Sequence, residues 1–397
     1  MEFSANKTGF FGGWMPLFIL AHFAHHLLTA LPIPLLPMIR SDFSLDYTRS
    51  GFVISAFSLS YGIGQLPGGW LADRTGPRPV LTIGICGVAL AGFFVGLSHT
   101  FPMMIFFLAL MGVLGGGYHP AAPPMISASV EPQNQGRALG VHAIGGSASF
   151  FLAPLIAILI ATLWGWRGSF IGLAVPAMVF GIFFYRVLGR MAAARKDPLP
   201  AREMHPEGAA RRRFARGLVP FIILSTFTGA VIYSTVSFIP LFLVDHFHYT
   251  EETAGALFAF IYSGGLWMSP LGGYFSDRWG RVPVILTVCF LAGPVIFLLN
   301  EVPSGYGIVI LLITIGMIIY ARMPVSEAFI IEQTQEGNRS LILGIYFFSS
   351  MEGSGLLTPV VGYLIDHFGF YTSFSIAGAA VLLVTFLCSL WLRGTRA

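Results

Sequence analysis

A stripe of three histidines is the part of this chain best suited to bind a polar ligand or to move a proton. His22, His25 and His26 are followed by Thr29, with the i, i+3, i+4, i+7 spacing that places side chains on one helix face. Imidazole titrates nearer neutrality than any other side chain, so such a stripe can carry a proton between two compartments. The stripe therefore predicts substrate binding or proton coupling. For any single one of these histidines, a hydrogen-bonded packing role is the alternative.

Two further histidines are predicted to join this function. His119 follows Tyr118, and His142 lies 23 residues further on (142 − 119). The chain contains an internal repeat with an offset of 204 residues, and the positions matching the two histidines are Met323 and Tyr346. Since residues of a shared scaffold should recur in both halves, these unrepeated histidines indicate a role specific to substrate or proton.

Three ionisable residues within apolar runs form a second candidate site. Arg322, Glu327 and Glu352 would lie in hydrocarbon, where an ionisable group is costly and is a functional candidate by default. Arg322 can hold an anion in bidentate fashion, and an aromatic residue such as Trp267 would line the same path. The alternative is that Arg322 pairs with Glu327 or Glu352 only to join two helices.

No metal or organic cofactor is predicted from these residues. No cysteine or carboxylate lies near the histidine stripe, which argues against a metal there. The three cysteines, Cys86, Cys289 and Cys388, all lie inside apolar runs. The chain has no Gly-x-x-x-x-Gly-Lys-Ser/Thr phosphate loop and no set of nucleophile, base and orienting residue, so neither an ATP-driven pump nor an enzyme is expected.

Membrane-spanning helices are the elements that must position these side chains. Of the 397 residues, 55% are hydrophobic and 10% charged, whereas soluble domains carry about a quarter charged residues. Apolar runs of about 20 residues, long enough to cross a bilayer, recur along the chain and are apolar all round, which excludes a soluble protein. We predict an all-α membrane protein of twelve spans. The predicted spans are 14–39, 48–72, 79–98, 101–129, 136–162, 168–190, 217–244, 251–275, 282–300, 304–333, 339–365 and 370–392.

A charged turn that occurs twice defines two halves. The segments Gly69–Gly76 and Gly273–Gly280 both read Gly-x-x-x-Asp-Arg-x-Gly, and Asp73 matches Asp277 at the repeat offset (277 − 73 = 204). Two parallel, pseudo-symmetric bundles of six helices follow, with a substrate site between them near the midplane. The predicted division is an N-terminal bundle over 1–190, a linker over 191–216 and a C-terminal bundle over 217–397.

Lysine and arginine predict the orientation in the membrane. Most of the 22 lie in loops on the side of the two turns, and the other side holds Arg40, Arg49 and Arg167. Both termini and the linker are therefore expected in the cytoplasm of a bacterial-type inner membrane. Because the basic excess is one-sided, it indicates topology, with the lipid bilayer as partner, rather than nucleic-acid binding.

The chain resembles the major facilitator superfamily of secondary transporters in the two turns and in the weaker loops Glu131–Arg137 and Glu336–Arg339. His22–Pro37 and Gly115–Ala122 are loosely similar to the fosmidomycin-resistance type of exporter. The resemblance implies a cavity lined by spans 1, 4, 7 and 10. It also implies that the turns latch an outward-open state, although a turn that only ends a helix is the alternative. The expected latch residues are Gly69, Asp73, Arg74, Gly76, Arg78, Arg137, Gly273, Asp277, Arg278, Gly280, Arg281 and Arg339.

The sequence hypothesis is a monomeric, proton-coupled carrier of a small organic molecule, with an organic anion favoured by Arg322 and the histidines. A drug or antimetabolite:proton antiporter working as an exporter is the alternative within the class. A non-transporting membrane sensor on the same scaffold is the alternative outside it. The residues expected to bind substrate or protons are His22, His25, His26, Thr29, Tyr118, His119, His142, Trp267, Arg322, Glu327 and Glu352.

Overall fold

The computed structural model describes residues 14–127, 135–194, 215–334 and 339–392, and within these ranges the secondary structure is helical without a strand. In the first half, the helices are Met15–Thr29, Leu36–Phe43, Tyr47–Thr75, Pro77–Gly96, Phe101–Gly116, Tyr118–Ser127 and Gln135–Ala194. In the second half, they are Ala215–Ser237, Ile239–Phe247, Glu251–Trp279, Arg281–Leu298, Tyr306–Gln333 and Arg339–Leu392. The predicted all-helical membrane architecture is confirmed.

Two of these helices each contain a pair of spans. Gln135–Ala194 is interrupted at Gly165, where φ is 66°, and Arg339–Leu392 at Gly369, where φ is 72°. Backbone with positive φ favours glycine, which has no Cβ to clash with the carbonyl oxygen. The Ser169 hydroxyl donates to the carbonyl oxygen of Ala157 across the first of these corners. With both corners counted, the described residues form the predicted twelve spans, numbered 1–12 below in chain order.

Spans 1 and 7 depart from their prediction as continuous helices. Span 1 ends its first helix at Thr29 and resumes at Leu36, and span 7 is interrupted at Phe238. Pro32 and Pro34 lie at the break in span 1, and Pro240 follows the break in span 7. A proline has no N–H group and cannot continue the helical hydrogen bonds. Among the described residues, seven helices are long and apolar enough to cross a bilayer, or eight with the bent span 8.

Apolar packing joins the two halves at one end only. We call the end that holds the turns at Gly76 and Gly280 the motif face, and the other end the opposite face. One core contains residues of both halves, such as Leu31 and Phe238, both fully buried. Toward the motif face there are two further cores, each within one half, around Phe184 and Phe329. The described structure is therefore closed at the opposite face, with the halves separating toward the motif face.

Part of the predicted organisation lies outside the described residues. The predicted linker over 191–216 falls mainly on residues 195–214, and the loops before Arg137 and Arg339 fall on 128–134 and 335–338. The side chains of Arg137 and Arg339 are likewise outside the description. The domain boundaries and the latch contacts of these two arginines remain predictions.

Candidate functional site

The five predicted histidines come together in one buried cluster in the first half. His22 stacks on His142 with ring centroids 4.2 Å apart, and its ring lies edge-on to His119 at 5.4 Å. His25 stacks on Tyr118 at 4.3 Å and lies 4.6 Å from His26. Spans 1, 4 and 5 thus each contribute imidazole rings to what we call the histidine cluster: His22, His25, His26, His119 and His142.

Hydrogen bonds to fixed acceptors define the tautomers of two cluster members. His25 Nδ1 lies 2.8 Å from the carbonyl oxygen of Gly84, which can only accept, so Nδ1 carries the proton. Its Nε2 then accepts from the hydroxyl of Tyr61 at 2.9 Å. His22 Nδ1 likewise donates to the carbonyl oxygen of His142 at 2.9 Å. His25 therefore has both nitrogens satisfied, whereas His22 Nε2 is buried and has no hydrogen-bond partner among the described residues.

The remaining predicted residues of the first half complete the cluster. His26 Nδ1 lies 3.0 Å from Thr29 Oγ1, and the Tyr118 hydroxyl lies 3.3 Å from His142 Nε2. The His26 ring also contacts Phe150 at 4.6 Å, which stacks on Tyr262 of the second half at 5.1 Å. An aromatic path therefore leads from the histidine cluster to the other bundle.

The histidine cluster also contains a group of three imidazoles with the spacing of metal ligands. The group joins two spans, so the sequence spacing along span 1 does not predict it. One ligand nitrogen from each of His22, His26 and His119 lies within 4.8 Å of the others. Span 1 supplies two of these imidazoles and span 4 supplies the third. His25 of span 1 is not part of the set, because both of its nitrogens are engaged in hydrogen bonds.

Arg322 forms a separate polar site in the second half. Its Nη1 donates to the carbonyl oxygen and the hydroxyl of Ser225 in span 7, at 2.7 and 2.9 Å. The Ser225 hydroxyl also lies 2.7 Å from that of Ser326 and 3.2 Å from that of Tyr346. Arg322 Nε is buried without a partner. We call this group, with Gly229 packed against the guanidinium, the arginine site.

No carboxylate neutralises Arg322 within the described part of the chain. Its hydrogen bonds go to Ser225, and the interpretation that it pairs with Glu327 or Glu352 is wrong for this structure. Glu327 is five residues further along span 10, which is not the same face of a regular helix. Trp267 lies on span 8 with 40% of its surface exposed and does not take part in the stacking within the histidine cluster.

Glu352 lies at the contact between the two halves. A Cβ at Gly62 of span 2 would overlap Glu352 Oε1 of span 11, and that oxygen is buried without a hydrogen-bond partner. Further toward the opposite face, the Ser55 hydroxyl donates to the carbonyl oxygen of Gly355. The structure thus places this carboxyl group within the seam along which spans 2 and 11 meet.

Polar contacts that were not predicted from the sequence close the opposite face. Asp245 of span 7 accepts from Arg40 and, at 2.5 Å, from the hydroxyl of Tyr47. Asp366 of span 11 accepts from the backbone amides of Tyr47 and Thr48 at 2.9 and 2.8 Å. We call this set the opposite-face lock: Arg40, Tyr47, Thr48, Asp245 and Asp366. The sequence did contain a signal for this lock. Asp245 and Asp366 lie near the ends of spans 7 and 11 at this face, and Arg40 of the first half lies at the same face.

In the second half, the repeated turn makes its contacts within its own bundle. Arg281 bonds to Asp277 at 2.5 Å and to Glu332 at 2.8 Å. Gly280 has φ of 90°, and Arg278 Nη1 lies 3.3 Å from the hydroxyl of Tyr274.

The turn of the first half is arranged in a similar way. Gly76 has φ of 81°. Arg78 donates to the carbonyl oxygen of Tyr185 at 3.1 Å, and Arg74 lies over the ring of Trp70 at 4.2 Å. Of the two helical glycines of the motif, Gly69 packs near Pro120, and Gly273 has no atom within 4 Å of the space for a Cβ.

Comparison with known proteins agrees with this architecture. The sequence profile of the Major Facilitator Superfamily matches residues 18–321 and 221–397. The chain is 24% identical over 357 residues to the uncharacterized MFS-type transporter YceJ of Bacillus subtilis, spanning 87% of this chain and 88% of the relative. It is also 24% identical over 387 residues to the probable sulfoacetate transporter SauU of Cupriavidus necator, spanning 90% and 88%. A bacterial homolog of the human lysosomal transporter Spinster, in an inward-facing and occupied conformation, has the same fold, with a TM-score of 0.78, 15% identity and 95% of each chain covered.

Proposed function

Because this chain belongs to the Major Facilitator Superfamily, we propose that it carries a small organic anion across the bilayer by proton-coupled alternating access. The family and the relatives establish the coarser statement, that the chain is a multi-pass membrane transporter and not an enzyme. The class of substrate and the coupling ion are the parts that we propose.

The observation that carries the anion proposal is the uncompensated charge of Arg322. The guanidinium is held by Ser225, and its buried Nε has no partner among the described residues. A cation within a membrane-spanning helix is costly when no counter-ion lies beside it, and a bound anion would supply both the charge and the acceptor that Nε lacks. Guanidinium groups recognise carboxylates, sulfonates and phosphates through paired N–H donors. The relative named as a probable sulfoacetate transporter supports the same class.

Glu352 is the residue that we propose for proton coupling. Its Oε1 has no hydrogen-bond donor and packs against Gly62 in the seam between the halves. Ionising a carboxyl group that packs against apolar surface without a donor is costly. Protonated Glu352 therefore favours the closed seam, and ionised Glu352 favours separation of spans 2 and 11. A proton bound at Glu352 would therefore bias the equilibrium between the two open states, which is what coupling requires.

The proposed orientation places the motif face and both termini in the cytoplasm of a bacterial inner membrane. Lysine and arginine are concentrated in the loops on that side. Since the halves meet at the opposite face, the described conformation would then be open toward the cytoplasm. We propose that the protein works as a monomer, because transporters built from two such halves carry the substrate between the halves of one chain.

Transport by purified protein in liposomes tests this proposal. We expect an imposed proton gradient to drive accumulation of a radiolabelled sulfonate or carboxylate, and unlabelled anions to compete for it. Glu352→Gln should abolish gradient-driven accumulation and retain exchange between labelled and unlabelled substrate. Glu301→Gln, at an exposed loop position, is the control. Unchanged accumulation by Glu352→Gln would refute its coupling role, and transport of neutral solutes alone would refute the anion class.

A further inference from the structure

Three imidazoles of the histidine cluster converge on one point. One nitrogen from each of His22, His26 and His119 lies within 4.8 Å of the others. We propose that these three side chains bind one divalent transition-metal ion of the zinc class and leave a fourth coordination position open. This site goes beyond anion transport and stands or fails independently of it.

The lone pair of His22 is oriented for a ligand. Because Nδ1 donates to the carbonyl oxygen of His142 at 2.9 Å, the neutral ring presents an unprotonated Nε2. That nitrogen is buried, and none of the described residues donates to it. Buried polar atoms nearly always have a partner, and an exception requires an explanation. A metal ion would supply the missing interaction.

His26 has a similar arrangement behind its ring. Its Nδ1 lies 3.0 Å from Thr29 Oγ1, and the Thr29 hydroxyl reaches the carbonyl oxygen of His26 at 3.5 Å. With its own hydrogen directed to that carbonyl, Thr29 accepts from Nδ1–H and leaves Nε2 of His26 as the lone-pair atom. An acceptor behind a ligating imidazole fixes the tautomer and the ring orientation, as it does in known metal sites.

The spacing and the donor types select the class of ion. Zinc–nitrogen bonds of about 2.0–2.1 Å place tetrahedral ligands about 3.3 Å apart. The three nitrogens, at most 4.8 Å apart, can close to that spacing by small side-chain rotations. Three histidines with one open position are a known zinc ligand set. Calcium and magnesium require oxygen ligands, which this group does not provide.

The two other cluster histidines make different contacts: both nitrogens of His25 are engaged, and so is Nε2 of His142. His25 bonds to the Gly84 carbonyl oxygen and to the Tyr61 hydroxyl, and His142 Nε2 lies 3.3 Å from the Tyr118 hydroxyl. His25 adjoins His26 in sequence but has no free lone pair. It therefore offers a matched control for the loss of one imidazole from the same cluster.

Cobalt binding to the untagged full-length protein in lipid nanodiscs tests the site. After chelator treatment, the protein should bind one equivalent of Co²⁺. The bound ion should show the intense visible absorption typical of four-coordinate cobalt, and added Zn²⁺ should displace it. His22→Asn, His26→Asn and His119→Asn should each weaken binding by about tenfold or more, whereas His25→Gln should retain it. X-ray absorption of the zinc-loaded wild type should show three nitrogen ligands at about 2.0–2.1 Å.

The spectroscopy of the wild type keeps the proposal testable even where a variant fails to fold. Variants are compared only if they elute as a single species and unfold at the temperature of the wild type. Absence of the four-coordinate cobalt spectrum in the wild type would overturn the proposal. Cobalt affinity unchanged in folded His119→Asn would overturn it as well.

Discussion

Gly229 of span 7 lies directly against the guanidinium group of Arg322 in span 10. A Cβ at position 229 would come within 2.7 Å of Arg322 Nη2 and 3.0 Å of Cζ. Such approaches are shorter than van der Waals contact, so an alanine at this position would push the guanidinium group away from its place beside span 7. The backbone of span 7 therefore determines where the positive charge lies.

Gly229→Ala should weaken anion binding by displacing that charge. Overpacking of this kind typically costs about 1–3 kcal/mol, which corresponds to a loss of about fivefold to a hundredfold in affinity. Calorimetric titration of the purified protein with the transported anion measures the change. Gly344→Ala, where no atom lies within 4 Å of the added methyl group, is the matched control. Equal affinity in the two variants would contradict this assignment of the arginine site.

The fold was predictable from the sequence to a large extent because it depends on strong local signals. Apolar runs and the turns at Asp73 and Asp277 gave the twelve spans and their repeat. The break in span 1 was also signalled locally, by Pro32 and Pro34, but a hydropathy pattern that continues through Ile39 obscured it.

The site was predictable only in part because sequence spacing reports a single helix face. The spacing of His22, His25 and His26 predicted a stripe, but the approach of His119 depends on how spans 1 and 4 pack. Similarly, the charge of Arg322 predicted a polar site, whereas its actual partner, Ser225, belongs to another span. A serine within an apolar helix usually bonds to its own backbone, so nothing in the sequence marks it.

Asp366 should hold the opposite face closed, and its replacement by alanine should open that face. The substitution leaves the amides of Tyr47 and Thr48 without their acceptor, and each lost bond to a charged group is worth about 1.5–3 kcal/mol. Spin labels at the exposed residues Arg49 and His246, one in each half, should show a larger population at long distance. Double electron–electron resonance measures the distribution of distances between the two labels.

A matched control exists on the same face. Asp42 pairs with Arg167 at 2.7 Å, and both residues belong to the first half. Asp42→Asn therefore removes a carboxylate contact on the same face without touching the contact between the halves, and the label distances should not change. If Asp366→Ala and Asp42→Asn gave the same distribution, the assignment of Asp366 to the opposite-face lock would be wrong.

Tyr47 and Arg40 should act on the same acceptor and therefore show coupled effects. Tyr47→Phe removes one donor to Asp245, whereas Asp245→Asn removes the charge that both donors share. We expect the smaller opening with Tyr47→Phe. In the double variant, the phenylalanine should add little beyond Asp245→Asn, because contacting residues are not additive. Full additivity of the two shifts, measured with the same spin labels, would refute a shared site.

Gly62→Ala should favour the conformation in which spans 2 and 11 are apart. The added methyl group would overlap Glu352 Oε1 and would have to displace this carboxyl group from its position against span 2. The same label pair should report opening of the opposite face, and Gly140→Ala, with open space around its Cβ position, should not produce it. If the variant were as closed as the wild type, the seam would accommodate the added methyl group and the prediction would be wrong.

Substitutions at Gly280 and Gly273 test two different roles of the repeated turn. Gly280→Ala tests the backbone conformation, and Gly273→Ala tests the role of the motif as a latch. Gly280 has φ of 90° and ψ of 152°, a region that other residues enter at a cost of about 1–3 kcal/mol. Gly280→Ala should therefore lower the unfolding temperature of the purified protein. Gly273 lies in a helix with no atom within 4 Å of its Cβ position, so Gly273→Ala should leave stability unchanged or raise it by up to about 1 kcal/mol. If Gly273→Ala impaired transport while the unfolding temperature stayed unchanged, Gly273 would be needed for a close contact that forms only in the other conformation. Such a contact is what a latch requires.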